Sequence, residues 1–122
     1  MPIRYERDDQ RRRAVMAITG TFDPVELLRQ VEEHRSGGAW TYGLIYDLRT
    51  MSGEPTTDTL REFTAEIQRR PGEAPRGPVA IVTNNPSMYS RACTYAAMAR
   101  EHATFAVFRY LNEAEIWLNE LP

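Results

Sequence analysis

Tyr42-Gly43-Leu44-Ile45-Tyr46-Asp47-Leu48-Arg49 decides the fold. Leu44, Ile45 and Tyr46 run together with no polar break, the pattern of a strand covered on both faces. Asp47 stands where that strand is expected to end, ahead of a loop holding Ser52-Gly53 and a helix opening near Thr57-Asp58. In open α/β sheets, ligands and chemistry gather outside the carboxyl ends of the strands, so Asp47 marks the edge to search.

Upstream, Ile3 to Arg7 alternates and ends at the turn cluster Asp8-Asp9-Gln10. Arg13 to Gly20 is a second, more buried strand, and the short connection makes an antiparallel hairpin. Arg11-Arg12-Arg13 sits at its tip beside Glu6, Asp8 and Asp9, a self-neutralised solvated end and not a nucleic-acid patch. Asp23, Pro24 and Glu26 spell a capping box with proline at the first helical position. Phe22 and Leu27 have staple spacing, Val25, Leu28 and Val31 mark the expected core stripe, and Gly37-Gly38 ends the helix.

Downstream, Leu60, Phe63 and Ile67 mark a second helix, and the stretch Pro71 to Pro78, with three prolines and two glycines, is a loop. Val79 to Thr83 is another doubly buried strand. Asn85-Pro86 repeats the cap-then-proline start, opening a helix to about Arg100. Thr104 to Tyr110 is the last strand. Asn112 and Glu115 form a further capping box, with Leu111 and Ile116 at staple spacing and Ala114, Trp117, Leu118 and Leu121 as a closing stripe. The order is β-β-α-β-α-β-α-β-α. It predicts a single α/β domain over 1–122, a mostly parallel sheet with an N-terminal antiparallel hairpin and right-handed crossovers.

Composition narrows the function. A chain of 122 residues holds one core and not two. A net charge of −2 supplies no bulk attraction to nucleic acid. All fifteen basic residues are arginine, which excludes a P-loop lysine, a Schiff-base lysine and a Ser-Lys dyad. The single cysteine, Cys93, excludes an intrachain disulfide, and its mid-helix position predicts a buried, inert thiol. No apolar run nears the roughly 20 residues of a membrane span, and the first residues lack a signal-peptide core. A cytoplasmic protein is expected.

With parallel strands, four loops meet on one edge: Gly20-Thr21-Phe22, Asp47 to Gly53, Thr83-Asn84-Asn85-Pro86-Ser87, and Arg109 to Asn112. Helix starts there favour an anion, and Arg49 with Arg109 could clamp a phosphate or carboxylate. Plain capping by Asp23, Asn85 and Asn112 is the commoner role of such residues. Asp47 after a buried strand resembles a receiver domain's phospho-acceptor, but that chemistry needs a lysine and an acidic pair after a strand that leads into a helix. Here Asp8-Asp9 lies in a hairpin turn.

The hairpin ending in Gly20-Thr21-Phe22, the strand ending Tyr46-Asp47-Leu48-Arg49, Gly77-Pro78-Val79-Ala80-Ile81-Val82, and the close from Phe105 through Trp117-Leu118 together resemble the SpoIIAA-like fold of STAS domains. Within it, they are similar to small stand-alone bacterial STAS/SEC14-like proteins. The resemblance implies a regulatory binding module. STAS antagonists of anti-sigma factors carry a phosphorylated serine after the central strand, where this chain offers Ser52, Thr56 and Thr57 without the aspartate-serine-serine-glycine pattern. Threonines at a helix start are more often caps. The SEC14 side implies an apolar pocket, which Met88, Tyr89, Cys93, Tyr95 and Met98 could line, or a homodimer face on the same helix. Such a carrier requires a cavity of several hundred Å³.

No catalytic group, metal or cofactor is expected. His34 and His102 read as surface or boundary residues without acid, nucleophile or metal-ligand spacing. The expected function is a non-enzymatic module that engages a partner protein or a small anionic or apolar ligand. Its expected contacts are Phe22, Asp47, Arg49, Asn84, Asn85, Ser87, Tyr89 and Arg109, with Ser52 or Thr56 as the phosphosite.

Overall fold

Strand β3 (Gly43–Ser52) lies at the middle of a five-stranded sheet in a computed structural model that describes residues 3–69 and 75–121. On one side it pairs in parallel with β2 (Arg13–Thr21), which pairs antiparallel with the edge strand β1 (Ile3–Asp8). On the other it pairs in parallel with β4 (Val79–Val82), followed by the second edge strand, β5 (Phe105–Phe108). The spatial order is β1-β2-β3-β4-β5. The α/β class, the antiparallel hairpin and the parallel remainder are as the sequence implies.

Three helices occupy the crossovers: α1 (Pro24–His34), α2 (Thr57–Gln68) and α3 (Pro86–Ala99). Each right-handed crossover steps one strand in the same direction, so all three land on one face, here the front. Leu27, Val31, Leu60, Phe63, Met88 and Ala92 bury against the front-facing Met16, Leu44, Tyr46 and Ile81. The last helix of the described residues, α4 (Leu111–Glu120), folds across the back. Its Ala114 and Leu118 cover Ile45, Ala80 and Val82. Beyond it the back of β1 stays open, which the exposed Arg4, Glu6 and Asp8 suit.

Asp47 does not end β3. The strand runs on to Ser52, because its last residues pair with Thr19, Gly20 and Thr21 of β2. Between Ala17 and Thr19 the register slips: Leu48 and Arg49 together oppose the single residue Ile18, one extra residue in β3. The Thr50 hydroxyl closes the irregularity with a hydrogen bond to the Ile18 carbonyl at 3.3 Å.

The helix starts are partly as expected. Asp23 caps α1, accepting from the Val25 and Glu26 amides, but the Glu26 carboxylate pairs with Arg29 at 2.5 Å and closes no capping box. Val25 is 75% exposed; the buried stripe runs Leu27, Gln30, Val31, His34 instead. After α1 the chain makes one wide turn over 35–39, with Gly38 at φ 87°, where a side chain would be strained. Asn112 is not a cap. Helix α4 begins at Leu111, with Tyr110 in the cap position and no side-chain bond there, and Ile116 faces solvent. The proline-rich loop is described only from Pro75, since 70–74 lie outside the described residues.

Candidate functional site

The carboxyl edge of the sheet is stepped. Asp47, Val82 and Phe108 stand level across three strands, where β4 and β5 stop, while β2 and β3 continue as a two-stranded ribbon. The starts of α1, α2 and α3 gather along this edge. Thr56 Oγ1 accepts from the Thr59 amide at 3.1 Å, and Asn85 Oδ1 accepts from Ser87 and Met88 at 2.9 and 3.1 Å. Thr56 and Asn85 are therefore committed to capping. Asn84, Ser87 and Ser52 are exposed.

Between these helix starts lies a half-enclosed cleft of about 40 Å³ that presents only apolar atoms. Phe22, Tyr46, Met51, Pro55, Leu60 and Met88 are among the residues that line it, Phe22 and Met51 half-exposed. The extra residue in β3 makes it. In an unbroken strand, alternation from Leu44 through Leu48 would turn Thr50 to the front; the slip turns Met51 there instead. Phe22 lies at the edge where the sequence places it. Met51 and Pro55 carry no such signal, because neither a bulge nor its phase is written in local periodicity.

The charged candidates do not converge. Asp47 holds Arg49 through two bonds of 2.9 Å, and accepts from the Arg49 amide at 3.2 Å. That pairing lowers the Asp47 pKa below the usual carboxylate range despite half-burial. The pair lies on the back with Ile45, as strand alternation requires. Arg109 is on the front side, its guanidinium 5.0 Å from the centre of the Tyr89 ring of α3. The two arginines are held on opposite faces and cannot clamp one anion.

Helix α3 also divides differently from expectation. Met88 and Tyr95 face the interior, while Tyr89 and Cys93 line an open groove beside β5. Cys93 is exposed, not buried.

At the opposite, amino edge sits a polar cluster that spacing alone does not single out. His34 is 2% exposed, shares a 2.6 Å hydrogen bond with the Tyr5 hydroxyl and tilts against Trp40. It is no surface residue. Burial, then the charges of Arg76 and Arg7, push its pKa down to about 4. Arg76 lies between the rings of Trp40 and Phe105, 4.8 and 5.4 Å from their centres, and donates to the Tyr46 hydroxyl at 3.0 Å. The Tyr95 hydroxyl is buried beside the Arg76 guanidinium, close enough for the two to interact, but forms no hydrogen bond of ordinary geometry among the described residues.

A buried hydroxyl without a well-formed hydrogen bond recovers little of its desolvation cost. Tyr95→Phe is therefore expected to leave stability unchanged or to raise it by up to about 1 kcal/mol. Urea unfolding measures this, and a clear loss would instead reveal a direct bond to Arg76.

Among the described residues no three His, Cys, Asp or Glu side chains are placed to hold a metal ion, and no helix is long and apolar enough to cross a membrane. No protein-family model matches the chain, and no curated protein or solved structure is significantly similar to it.

Proposed function

We infer that this chain is a non-enzymatic binding module that holds a partner protein at the carboxyl edge of its sheet, seating one apolar side chain in the cleft lined by Phe22, Met51 and Pro55. The observation that carries this reading is an all-apolar cleft set among three capped helix starts, at Asp23, Thr56 and Asn85. An apolar hole inside a polar surround has the anatomy of an interface anchor point, a dry centre with a wet rim. The residues that acid–base chemistry would call on are engaged elsewhere. Asp47 is tied to Arg49, and His34 is walled in at the far edge.

The strand order, with one antiparallel edge strand and three parallel crossovers, supports the likeness to the SpoIIAA-like fold of STAS domains, and with it a regulatory role. Ser52 and Thr56 are exposed and adjoin the lining residues Met51 and Pro55 in the chain, so a phosphate there could gate a partner, at Thr56 in place of its capping bond to Thr59. Alanine at both, leaving partner binding unchanged, would remove that switch from the reading. A carried lipid needs roughly 300–1,000 Å³. The cleft offers about 40 Å³ and the open groove beside Tyr89 and Cys93 about 260 Å³, so neither reaches the size the carrier reading needs.

The test is an NMR titration of the isotope-labelled chain with N-acetyl-leucinamide, one apolar side chain between peptide-like ends. Saturable shifts are expected at the amides of Phe22, Met51 and Met88, and their loss in Met51→Asp, whose site is only half-buried. Scattered or absent shifts would sink the reading. Native mass spectrometry of gently purified protein should show a clean apo mass; an excess lost on denaturation would favour the carrier.

A further inference from the structure

Among the described residues the sheet has two unpaired edges, of unlike character. Along β1 the exposed Arg4, Glu6, Arg7 and Asp8 guard one edge with charges that a docking strand would have to desolvate. The other edge, β5, reads Phe105-Ala106-Val107-Phe108, with no charge and no proline. In a parallel ladder a residue turns its N–H and C=O to the same neighbour, and alternate residues turn theirs the opposite way. The amides of Val79 and Thr83 donate to the carbonyls of Thr104 and Phe108, at 2.8 and 3.0 Å. Thr104, Ala106 and Phe108 thus face β4, and Phe105 and Val107 direct their backbone groups outward. The Tyr89 hydroxyl, which donates to the Val107 carbonyl at 3.4 Å, meets it on that outer side.

Beside this edge runs a groove of about 260 Å³ between β5 and α3. Cys93, Ala96 and Ala97 form its α3 wall, and such small side chains leave room for those of an added strand. The charges at the groove are cations: Arg100 lines it, and Arg109 follows the end of β5 over the Tyr89 ring. Two β5 edges paired antiparallel would bring Arg109 of each copy toward Arg100 of the other, so charge opposes self-pairing.

We propose that the outer edge of β5 and its groove take an extended, acidic segment of a partner protein as a sixth strand. The backbone of Phe105 and Val107 supplies the ladder, and Arg100 and Arg109 pair with carboxylates at either end of a span of about 13 Å. The surface is separate from the cleft, and neither reading depends on the other.

The probe is acetyl-Glu-Val-Thr-Val-Glu-amide, titrated into the labelled full chain beside its counterpart with lysine for glutamate. Shifts at the Phe105, Val107 and Arg109 amides are expected, with the lysine peptide weaker by about tenfold or more. Val107→Pro removes an outward N–H without touching the β4 ladder, and should weaken binding by a similar factor. Should that proline prevent folding, the double reversal Arg100→Glu, Arg109→Glu carries the test alone and should invert the preference between the peptides. Equal affinity for both peptides, or no saturable binding, overturns the proposal. So does concentration-dependent dimerisation through β5, which would make a second copy the occupant. Shifts confined to Met51 and Met88 also overturn it, while leaving the cleft reading intact.

Discussion

Gly77→Ala is expected to unfold the protein or bring it close to unfolding, although it adds a single methyl group. A Cβ at Gly77 would stand 2.5 Å from the Thr41 carbonyl oxygen, 2.7 Å from its carbon, and closer still to the carbonyl oxygen of Tyr42. These are backbone atoms and cannot swing aside as a side-chain tip would. Neither segment can retreat cheaply. The Gly77 amide donates to the Trp40 carbonyl at 2.8 Å, and the Leu44 amide donates to Pro78 at 2.9 Å, so the approach is pinned on both sides. Tyr42 is buried and tied through its hydroxyl to Asp9 at 2.6 Å. Relief would have to come from sliding β4 against β3, which would disturb the central pairing of the sheet.

Overpacking costs about 1–3 kcal/mol when side chains can adjust, and a backbone collision belongs at or above the top of that range. Against a total stability of roughly 5–15 kcal/mol, that is a large share. Gly37→Ala is the control, because its Cβ would meet only the end of the Arg7 side chain, at 3.2 Å. Urea midpoints of the two variants should differ widely. A Gly77→Ala midpoint near that of the wild type would mean that the two segments do not approach so closely.

Stability is also expected to fall steeply on acidification from about pH 6.5 to pH 4, ahead of most carboxylate titration, because of His34. In the unfolded chain the imidazole takes up a proton near its ordinary value of 6.5; in the folded protein it resists until about pH 4. The unfolded state therefore binds more protons across that window, and acid favours it. The stabilisation is fully present above pH 6.5 and is lost as the pH falls toward 4. A separation of this size corresponds to roughly 3 kcal/mol. Burial contributes most, and Arg76 and Arg7 add repulsion toward an imidazolium.

Asp47 acts in the same direction at lower pH, since its pairing with Arg49 depresses its pKa and protonation there begins only below the usual carboxylate range. In His34→Leu the slope between pH 6.5 and 4 should flatten, at the cost of the bond to Tyr5. Unfolding by urea at pH 7.0, 5.5 and 4.5 in both proteins reads the effect. An equally steep fall in the variant would remove His34 as its source.

Several features are legible in the chain itself because they depend on residues within four positions of one another. Asp23 and Asn85 cap helices by bonding amides two and three residues on, and proline next to them fixes the start. The alternation of apolar runs and amphipathic stretches carries the element order, and the right-handed crossover rule carries it on to a mostly parallel sheet. His34 shows a partial signal. It falls seven residues after Leu27 and three after Val31, on the buried stripe, but a histidine there carries no apolar mark that tells it from a boundary residue.

Which side of the sheet a side chain takes, and what meets it there, is decided at longer range. One extra residue in β3 keeps Asp47 inside the strand, turns Met51 into the cleft and makes Thr50 an outward residue paired with Thr19. Arg49 and Arg109 stand on opposite faces because one follows a back-facing aspartate and the other leans on α3. Arg76 meets Trp40, Tyr46 and Phe105, residues 36, 30 and 29 positions away, which no local pattern brings together. The elements, their order, the caps at Asp23 and Asn85 and the α/β class can be read from the chain, since they follow from short-range hydrogen bonding and hydrophobic period. The cleft, the buried histidine, the close approach at Gly77 and the place of β5 at the edge of the sheet arise in the packed fold, since each depends on how strands are registered and on which of them lies last in the described sheet.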